Sequence, residues 1–337
     1  MTGLLGSLIA AASNGTEYLQ GPNGRLCYVL QLPRNFDPAR DKCPLVIVMH
    51  GVMAHKDVPP LPRIARKLVR EGFAVLRFDF NAQGKSDGDV LKCTIPSEIA
   101  DARAVYDYAR SLPFVSSVVL LAHSQGGVVA GMLAGELAGA EAGGTLAWEL
   151  AGMLAGAEAG AEAVGTLAGE PVLGPAGELA GMLAGAETVG TLAREPVLGP
   201  AGELSNKGTT PDALVLLAPG AVLKDYALEG RFLGVECDPV DPPEYVQVYW
   251  YKFSRDYIKT AQTLPIYEVS AQYQGPVCLI HGDEDKIVPL KYSEQYRDIW
   301  RDCEFTVIPR ENHLFSRHPS RLDRLIIDYL RRRFLSE

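Results

Sequence analysis

The sequence predicts a mostly parallel α/β sheet that is flanked by helices and has an antiparallel edge. Short apolar runs rich in β-branched residues alternate with segments of helical periodicity, which is the pattern of parallel strands joined by crossover helices. Residues 17–32 instead alternate in polarity and are broken at Gly21-Pro22-Asn23-Gly24, as in an antiparallel hairpin. With 337 residues, 47% of them hydrophobic, the chain can bury such a core as a single domain.

Six apolar runs are the predicted strands that follow the hairpin, at residues 44–49, 73–80, 118–121, 213–218, 276–280 and 304–308. Three segments place their apolar residues on one helical face, at residues 64–71, 98–110 and 321–334. A further helix is expected from Gly126, directly after the third run. Strand and helix therefore alternate along most of the chain, as a mostly parallel sheet requires.

The net charge of -9 comes from one segment of the chain. Residues 136–204 contain ten Glu and one Arg, so the remaining chain has 31 basic and 31 acidic residues. The acidity therefore says nothing about the charge of a substrate. Because no basic stripe is present, no nucleic-acid partner is expected. No apolar span reaches the ~20 residues of a membrane helix, so no membrane partner is expected either.

The six cysteines are scattered and show no metal-ligand spacing. They are expected to be reduced packing residues of a cytoplasmic protein, with one disulfide left open. The apolar stretch at residues 3–12 has no preceding Lys or Arg, so it is a poor secretory signal and is expected to be an N-terminal arm.

Residues 138–208 are predicted to be a low-complexity insert of Ala, Gly, Glu and Leu. The tetrapeptide Gly-Met-Leu-Ala starts at 131, 152 and 181, and these unequal steps differ from the fixed period of a solenoid. Short helical pieces joined by loose turns are expected, and an interaction module is the alternative. Because the insert begins within the helix that follows 118–121, it should emerge at the end of the molecule far from Ser124.

The pentapeptide Ala122-His123-Ser124-Gln125-Gly126 follows a predicted strand and opens a predicted helix. This is the context of a nucleophile elbow, in which a strained turn lifts a serine hydroxyl above the sheet. Ala122 stands where the G-x-S-x-G pattern has its first glycine, a departure of one methyl group. The alternative is a serine that only caps the helix.

A nucleophilic serine needs a base and an orienting carboxylate, in the chain order Ser, Asp, His. Of the histidines downstream of Ser124, His281 ends the strand before the acid loop and His318 lies close to the start of the last helix. His313 lies just after the strand 304–308, so it is the candidate base. Asp285 lies a few residues beyond the strand 276–280, where a turn can aim it at the next loop. Asp283 is the alternative acid, although it would more naturally bind the amides of its own turn.

An oxyanion hole needs two backbone N–H groups. The candidates are Gln125, which follows the nucleophile, and Val52, which lies in the loop after the strand 44–49. The alternative for the second donor is that His50-Gly51 only makes a tight turn.

Five motifs occur in order along the chain: HGxxxxK at 50–56, FDFNxxGKSDG at 78–88, HSQGG at 123–127, AQxLPIYE at 261–268 and HGxxDxxVP at 281–289. Together they resemble the α/β-hydrolase cinnamoyl (feruloyl) esterases of bacteria. The resemblance covers nearly the whole chain apart from residues 138–208, an insert that the family lacks. Ala122 and the pair Ala82-Gln83 are further departures.

The resemblance implies an α/β-hydrolase fold with a small cap at residues 223–265, inserted after the sixth strand. This segment is dense in aromatic residues and follows a strand at the carboxyl edge, so it should overhang Ser124 and could enclose an aromatic acyl group. By similarity, Tyr257 and Asp238 are the expected polar contacts of a ring hydroxyl. The alternative for most of the aromatics is that they pack the cap onto the core.

The expected activity is that of a serine carboxylic ester hydrolase acting on hydroxycinnamate esters through an acyl-enzyme. The expected partner is a small-molecule ester with an aromatic acyl group, and no metal or organic cofactor is needed; a homodimer is left open. A broad-specificity or lipase-like esterase, a thioesterase and an acyltransferase would use the same triad. A hydrolase-fold binding protein is the alternative outside the enzymes, and typically has a broken triad.

Overall fold

The computed structural model describes residues 16–141 and 209–335. Within these residues the strands are β1 (Glu17–Gly21), β2 (Gly24–Gln31), β3 (Cys43–Met49), β4 (Ala74–Phe78), β5 (Val115–His123), β6 (Ala213–Leu217), β7 (Arg231–Phe232), β8 (Val235–Glu236), β9 (Tyr245–Val248), β10 (Tyr251–Ser254), β11 (Val277–Gly282) and β12 (Cys303–Ile308). The helices are α1 (Leu61–Arg70), α2 (Ile95–Ser111), α3 (Gln125–Glu141), α4 (Val222–Glu229), α5 (Arg255–Thr263), α6 (Ile266–Ser270), α7 (Lys291–Ile299) and α8 (Pro319–Phe334).

Eight strands form one sheet in the order β1-β2-β4-β3-β5-β6-β11-β12. The hairpin of β1 and β2 is antiparallel and pairs antiparallel with β4, whereas every other neighbouring pair is parallel. The predicted fold class, a mostly parallel sheet with an antiparallel edge, is therefore confirmed. Each of the six predicted runs is a strand, with bounds shifted by at most three residues.

Helices cover both faces of the sheet, which is why its central strands are apolar on both sides. On one face, α1 and α8 pack over alternate strand residues such as Val46, Val48 and Val75 in one buried cluster. On the other face, α2 and α3 pack against each other and against β3 and β5. Among the described residues, no helix is long and apolar enough to cross a membrane.

The segment after β6 consists of α4, two short hairpins (β7 with β8, and β9 with β10) and α5. It includes most of residues 223–265, the predicted cap. Sequence patterns did not identify α4, α5, α6 or α7, which are short and lie outside the predicted helical segments.

The predicted N-terminal arm, and residues 142–208 of the predicted insert, lie outside the described residues. The residues on either side of segment 142–208 are in contact. Thr209 donates hydrogen bonds to the carboxylate of Glu141 through its amide and its hydroxyl. The Thr210 amide donates to the same carboxylate over 3.1 Å. The helix α3 therefore ends beside the segment that leads into β6.

Candidate active site

Ser124 occupies the tight turn between β5 and α3, with a φ of 56°. This left-handed conformation costs a non-glycine residue about 1–2 kcal/mol, so it persists only where the surroundings impose it. Neighbouring atoms are very close: a Cβ at Gly51 would lie 2.8 Å from the Ser124 Cβ, and one at Gly126 would lie 2.5 Å from the His50 carbonyl oxygen. Glycine at these two positions allows the strand, the turn and the helix to approach.

Ser124, His313 and Asp285 meet at the carboxyl end of the sheet, in the loops after β5, β12 and β11. The His313 Nε2 lies 2.9 Å from the Ser124 Oγ, and its Nδ1 lies 2.7 Å from a carboxylate oxygen of Asp285. Because Asp285 as a carboxylate only accepts, the Nδ1 carries the proton and Nε2 is free to accept from the serine hydroxyl. The array can therefore take a proton from Ser124.

The Asp285 carboxylate is almost fully buried, with 1% of its side chain exposed, yet every partner favours its charged form. Its Oδ1 accepts from the amides of Ile287 and Val288, and its Oδ2 lies 3.1 Å from the His281 Nε2 as well as next to His313. Burial raises the pKa of Asp285, but the hydrogen bonds from His281 and His313 outweigh it and hold the pKa well below its ordinary value.

The alternative acid, Asp283, is not brought to the imidazole. Its carboxylate is exposed and accepts from the backbone amide of Arg310, which ties the loop after β11 to the loop after β12. The two aspartates therefore have separate structural roles, and only Asp285 contacts His313.

The amides of Val52 and Gln125 have no hydrogen-bond acceptor among the described residues. The peptide planes that contain these amides are fixed by hydrogen bonds to the carbonyl oxygens of the same peptide groups. The Ser124 carbonyl accepts from the amides of Gly127 and Gly220, at 2.8 Å each. Because a trans peptide directs its N–H opposite to its C=O, the Gln125 N–H is free to point into the cavity.

His50 fixes the second peptide in the same way. Its Nε2 accepts from the Phe80 amide over 3.1 Å, so its Nδ1 carries the proton and donates to the Gly51 carbonyl over 2.8 Å. Burial lowers the pKa of His50 to about 4, which keeps this arrangement neutral. The Val52 N–H then points away from His50, and both candidate oxyanion donors are held by fixed carbonyls.

A buried hydrogen-bond chain runs behind Gln125 that sequence reasoning missed. The Tyr257 hydroxyl donates to the Gln125 Oε1 over 2.6 Å, and the Gln125 Nε2 donates to Glu98 over 2.8 Å. Gln83 donates to the other Glu98 oxygen, also over 2.8 Å. Burial raises the pKa of Glu98 to about 8. The chain fixes the side chain of the residue that follows Ser124, and no local pattern connects its four members.

A cavity of about 640 Å³ opens over Ser124. Side chains from the segment 222–257 cover it, among them Phe232, Phe253 and Tyr257, all of which are buried. In the part of the chain that the structure describes, no Asp, Glu, Lys or Arg lines this cavity. The site is therefore shaped for an uncharged, apolar ligand.

Of the two expected contacts of a ring hydroxyl, Tyr257 lines the cavity and Asp238 does not. Asp238 is exposed, and its carboxylate accepts from the amides of Val240 and Asp241 in its own loop. The structure does not bring Asp238 to the cavity, because an aspartate in this turn accepts from the backbone amides that follow it.

All six cysteines are unpaired, and four of them are buried. No cluster of three or more His, Cys, Asp or Glu side chains that could hold a metal ion occurs within residues 16–141 and 209–335.

Residues 40–144 match the family model described as serine aminopeptidase, S33. No curated protein sequence matches the chain. Among solved structures, the chain is similar to Est1E from Butyrivibrio proteoclasticus, described with ferulic acid bound, at 23% identity and a TM-score of 0.69, covering 94% of this chain and 98% of that one.

Two further solved structures show the same likeness. Alpha/beta hydrolase GrgF from Penicillium sp. sh18 is 13% identical, with a TM-score of 0.60 and coverage of 96% of this chain and 99% of that one. Alpha/beta hydrolase domain-containing protein 10 from mouse is 17% identical, with a TM-score of 0.55 and coverage of 96% and 100%. The chain therefore has the α/β-hydrolase fold that the sequence motifs imply.

Proposed function

We propose that this protein is a serine carboxylic ester hydrolase that cleaves hydroxycinnamate esters through an acyl-enzyme. The observation that carries the proposal is the hydrogen-bonded array of Ser124, His313 and Asp285 on a cavity lined also by Val52 and Gln125, whose amides have no acceptor within the described part of the chain. A nucleophile, a base, an orienting carboxylate and an oxyanion hole are the groups that acyl transfer requires.

In the first half of the reaction, the His313 Nε2 takes the hydroxyl proton as the Ser124 Oγ attacks the ester carbonyl carbon. The carbonyl oxygen becomes an oxyanion that accepts from the amides of Val52 and Gln125. Asp285 stabilises the imidazolium through Nδ1. When the C–O bond to the alcohol breaks, His313 returns the proton to the departing oxygen, and the acyl group stays on Ser124.

In the second half, water attacks the acyl-enzyme and repeats these steps. His313 takes one proton from the water, the new C–O bond forms, and the tetrahedral intermediate again has its charge at the two amides. The bond to Ser124 then breaks, and His313 gives the proton to the serine oxygen. The products are one carboxylic acid and the free enzyme.

The aromatic and uncharged lining of the cavity supports an aromatic acyl group. The Phe232 and Phe253 rings stack at 5.1 Å, and Tyr257 meets Phe253 edge-on at 5.0 Å, so an apolar wall is preformed. Est1E, which the chain resembles in fold, is described with ferulic acid bound. For the ring hydroxyl, Tyr257 is the proposed polar contact.

A broader carboxylesterase is the second candidate. Asp238 does not line the cavity, so among the described residues the cavity has no charged partner for a ring hydroxyl. Its volume of about 640 Å³ also exceeds what one cinnamoyl group needs. Both observations favour an enzyme that also accepts acyl groups without a phenol.

Labelling by a fluorophosphonate, followed by a substrate panel, tests the proposal. The wild type should be labelled and Ser124→Ala should not. Methyl ferulate should then be cleaved with a higher kcat/KM than methyl cinnamate, p-nitrophenyl butyrate or an acyl thioester. Equal rates on the first two esters would favour the broader carboxylesterase, and a preference for the thioester would favour a thioesterase. A wild type that is neither labelled nor active would refute the proposal.

A further inference from the structure

The mouth of the cavity is bordered by five large apolar side chains that are exposed to solvent. We call them the rim: Leu233, Tyr249, Trp250, Ile287 and Leu314, with 37%, 75%, 74%, 39% and 51% of their surface exposed. All five also line the cavity that contains Ser124. Scattered exposed apolar residues are ordinary, but a contiguous set around one opening indicates a binding surface.

Two rim residues are held in a costly backbone conformation. Leu233 lies in the turn between β7 and β8 with a φ of 46°, and Tyr249 lies in the turn between β9 and β10 with a φ of 51°. Glycine, asparagine or aspartate is the usual residue at such turn positions. A leucine and a tyrosine at these positions make the folded state less stable than a turn-forming residue would, and they place apolar side chains at the opening. Strain of this kind is concentrated at functional sites, and Ser124 and Met53 in the same cavity have it too.

We propose that the rim binds the alcohol half of the ester, so that the enzyme selects esters of apolar alcohols. The inference rests on the proposed function and adds the class of leaving group. The departing oxygen must receive its proton from the His313 Nε2, so the alcohol half lies on the side of His313. Two rim residues lie on the His313 side of the cavity, because they are close in the chain to the array. Leu314 follows His313 directly, and Ile287 is two residues after Asp285.

The surroundings of the rim favour a small apolar ligand over a membrane or a protein. Residues 223–265, which contribute both hairpin tips, contain five basic and seven acidic residues. This acidic balance is opposite to the basic clusters that attract anionic lipid surfaces. Five side chains are also far fewer than the roughly 20–30 residues that each partner contributes to a stable protein interface. The rim is instead continuous with the cavity over the nucleophile.

Methyl ferulate and butyl ferulate test the inference, because they share one acyl group and therefore one acyl-enzyme. A difference in kcat/KM then reports the alcohol half alone. Each fully buried CH₂ contributes roughly fourfold, so three partly buried ones should make butyl ferulate about tenfold better in the wild type. Trp250→Ser and Leu314→Ser should each lower the butyl-to-methyl ratio of kcat/KM at least threefold. Val240→Ser is the matched control, since Val240 is 80% exposed but lies outside the cavity lining, and it should keep the wild-type ratio.

Leu233→Asn gives a second readout. Because asparagine tolerates a positive φ, this variant should raise the Tm by about 2 °C while it lowers the butyl-to-methyl ratio. A wild-type ratio below two, or rim variants that keep the wild-type ratio, would overturn the inference while leaving ester hydrolysis intact. Sedimentation with phosphatidylcholine vesicles that is lost in Trp250→Ser, with an unchanged ratio, would assign the rim to a lipid surface instead. If neither ester is cleaved and Ser124 is not labelled, the proposed function fails together with the inference.

Discussion

His123 donates a hydrogen bond from its Nε2 to the backbone carbonyl oxygen of His313, over 2.8 Å. The residue that precedes Ser124 thus holds the backbone of the residue whose imidazole contacts the Ser124 hydroxyl. The two rings lie 4.8 Å apart, so a charge on one would act on the other. Burial lowers the pKa of His123 to about 3, which keeps it neutral, so it would not repel the His313 imidazolium of the proposed mechanism.

This contact predicts different results for two substitutions of His123. Glutamine places an N–H near the position of Nε2, so His123→Gln should keep kcat within about fivefold. Phenylalanine fills the same space without a donor, so His123→Phe should lower kcat about 100-fold with a small change in KM. Steady-state kinetics on methyl ferulate measures both. Equal kcat values for the two variants would mean that the hydrogen bond does not position His313.

The acid assignment is tested by a pair of aspartate variants. Asp285→Asn should lower kcat by about three to four orders of magnitude, because an amide can no longer select the imidazole tautomer that accepts from Ser124. Asp283→Asn is the matched control, since within the described residues the Asp283 carboxylate accepts a hydrogen bond from the Arg310 amide and does not contact His313. This variant should stay within about threefold of the wild type. A greater loss in Asp283→Asn than in Asp285→Asn would reverse the assignment.

Gly51→Ala should disable the oxyanion hole without unfolding the sheet. The added methyl group would lie 2.8 Å from the Ser124 Cβ, so either the serine or the Val52 peptide has to move. Loss of one oxyanion donor typically costs about 10²–10³ in kcat. Circular dichroism should remain native while kcat on methyl ferulate falls by that factor. Wild-type kcat in Gly51→Ala would show that the Val52 amide does not bind the oxyanion.

The buried carboxyl group of Glu98 predicts a dependence of stability on pH. Because burial raises its pKa to about 8, the folded state keeps this proton between the ordinary pKa near 4.5 and about 8, whereas the unfolded chain loses it. The free energy of unfolding should therefore fall as the pH rises through this range, by on the order of 4 kcal/mol.

Glu98→Gln removes this titration and should flatten the decline between pH 5 and pH 8 in chemical denaturation. The slope should not vanish, because burial also raises the pKa of Asp101 to about 7. Glu294→Gln changes an exposed carboxylate and should leave the slope as it is. A slope in Glu98→Gln equal to that of the wild type would show that Glu98 is ionised in the folded state at pH 5.

The contact between Glu141 and Thr209 predicts that the intervening residues are dispensable for folding and turnover. The two residues are hydrogen-bonded, so a Gly-Ser link can replace residues 142–208 without moving α3 or β6. At about 1.5 Å per residue, the 17 residues of α3 separate this junction from Ser124 by roughly 25 Å. The shortened chain should keep its Tm within a few degrees and its kcat/KM within twofold. A tenfold loss of kcat/KM would assign the segment a part in catalysis.

The fold was predictable because its determinants are local. Buried parallel strands appear in the sequence as apolar runs. Each of the three side chains of the array follows one of these runs, so the parallel strands place all three at one edge of the sheet. The partner of Asp238 was not predictable from its position in the sequence. Local turn geometry determines whether a loop carboxylate binds its own backbone or a ligand. The chain from Gln83 to Tyr257 draws on four distant segments, and no spacing in the sequence connects them.

The hairpins above the cavity show a second limit of sequence reasoning. Their strands are two to four residues long, which is too short for a periodic signal. The Tyr249-Trp250 turn contains none of the residues that are typical of a hairpin turn. Apolar aromatic residues occupy positions where Gly, Asn or Asp would be more stable. The proposed role of the rim and the local propensity conflict at this position, and a method based on propensity misses the element for that reason.

In the proposed ester hydrolysis, the uncharged lining of the cavity also affects product release. A neutral ester can enter without losing strong hydration, but hydrolysis converts it into an acid that ionises at neutral pH. A carboxylate without a cationic partner is poorly solvated among apolar side chains. The proposed reaction thus converts a neutral ester into an anion that this lining binds less favourably, and weaker binding of the product speeds its release into water.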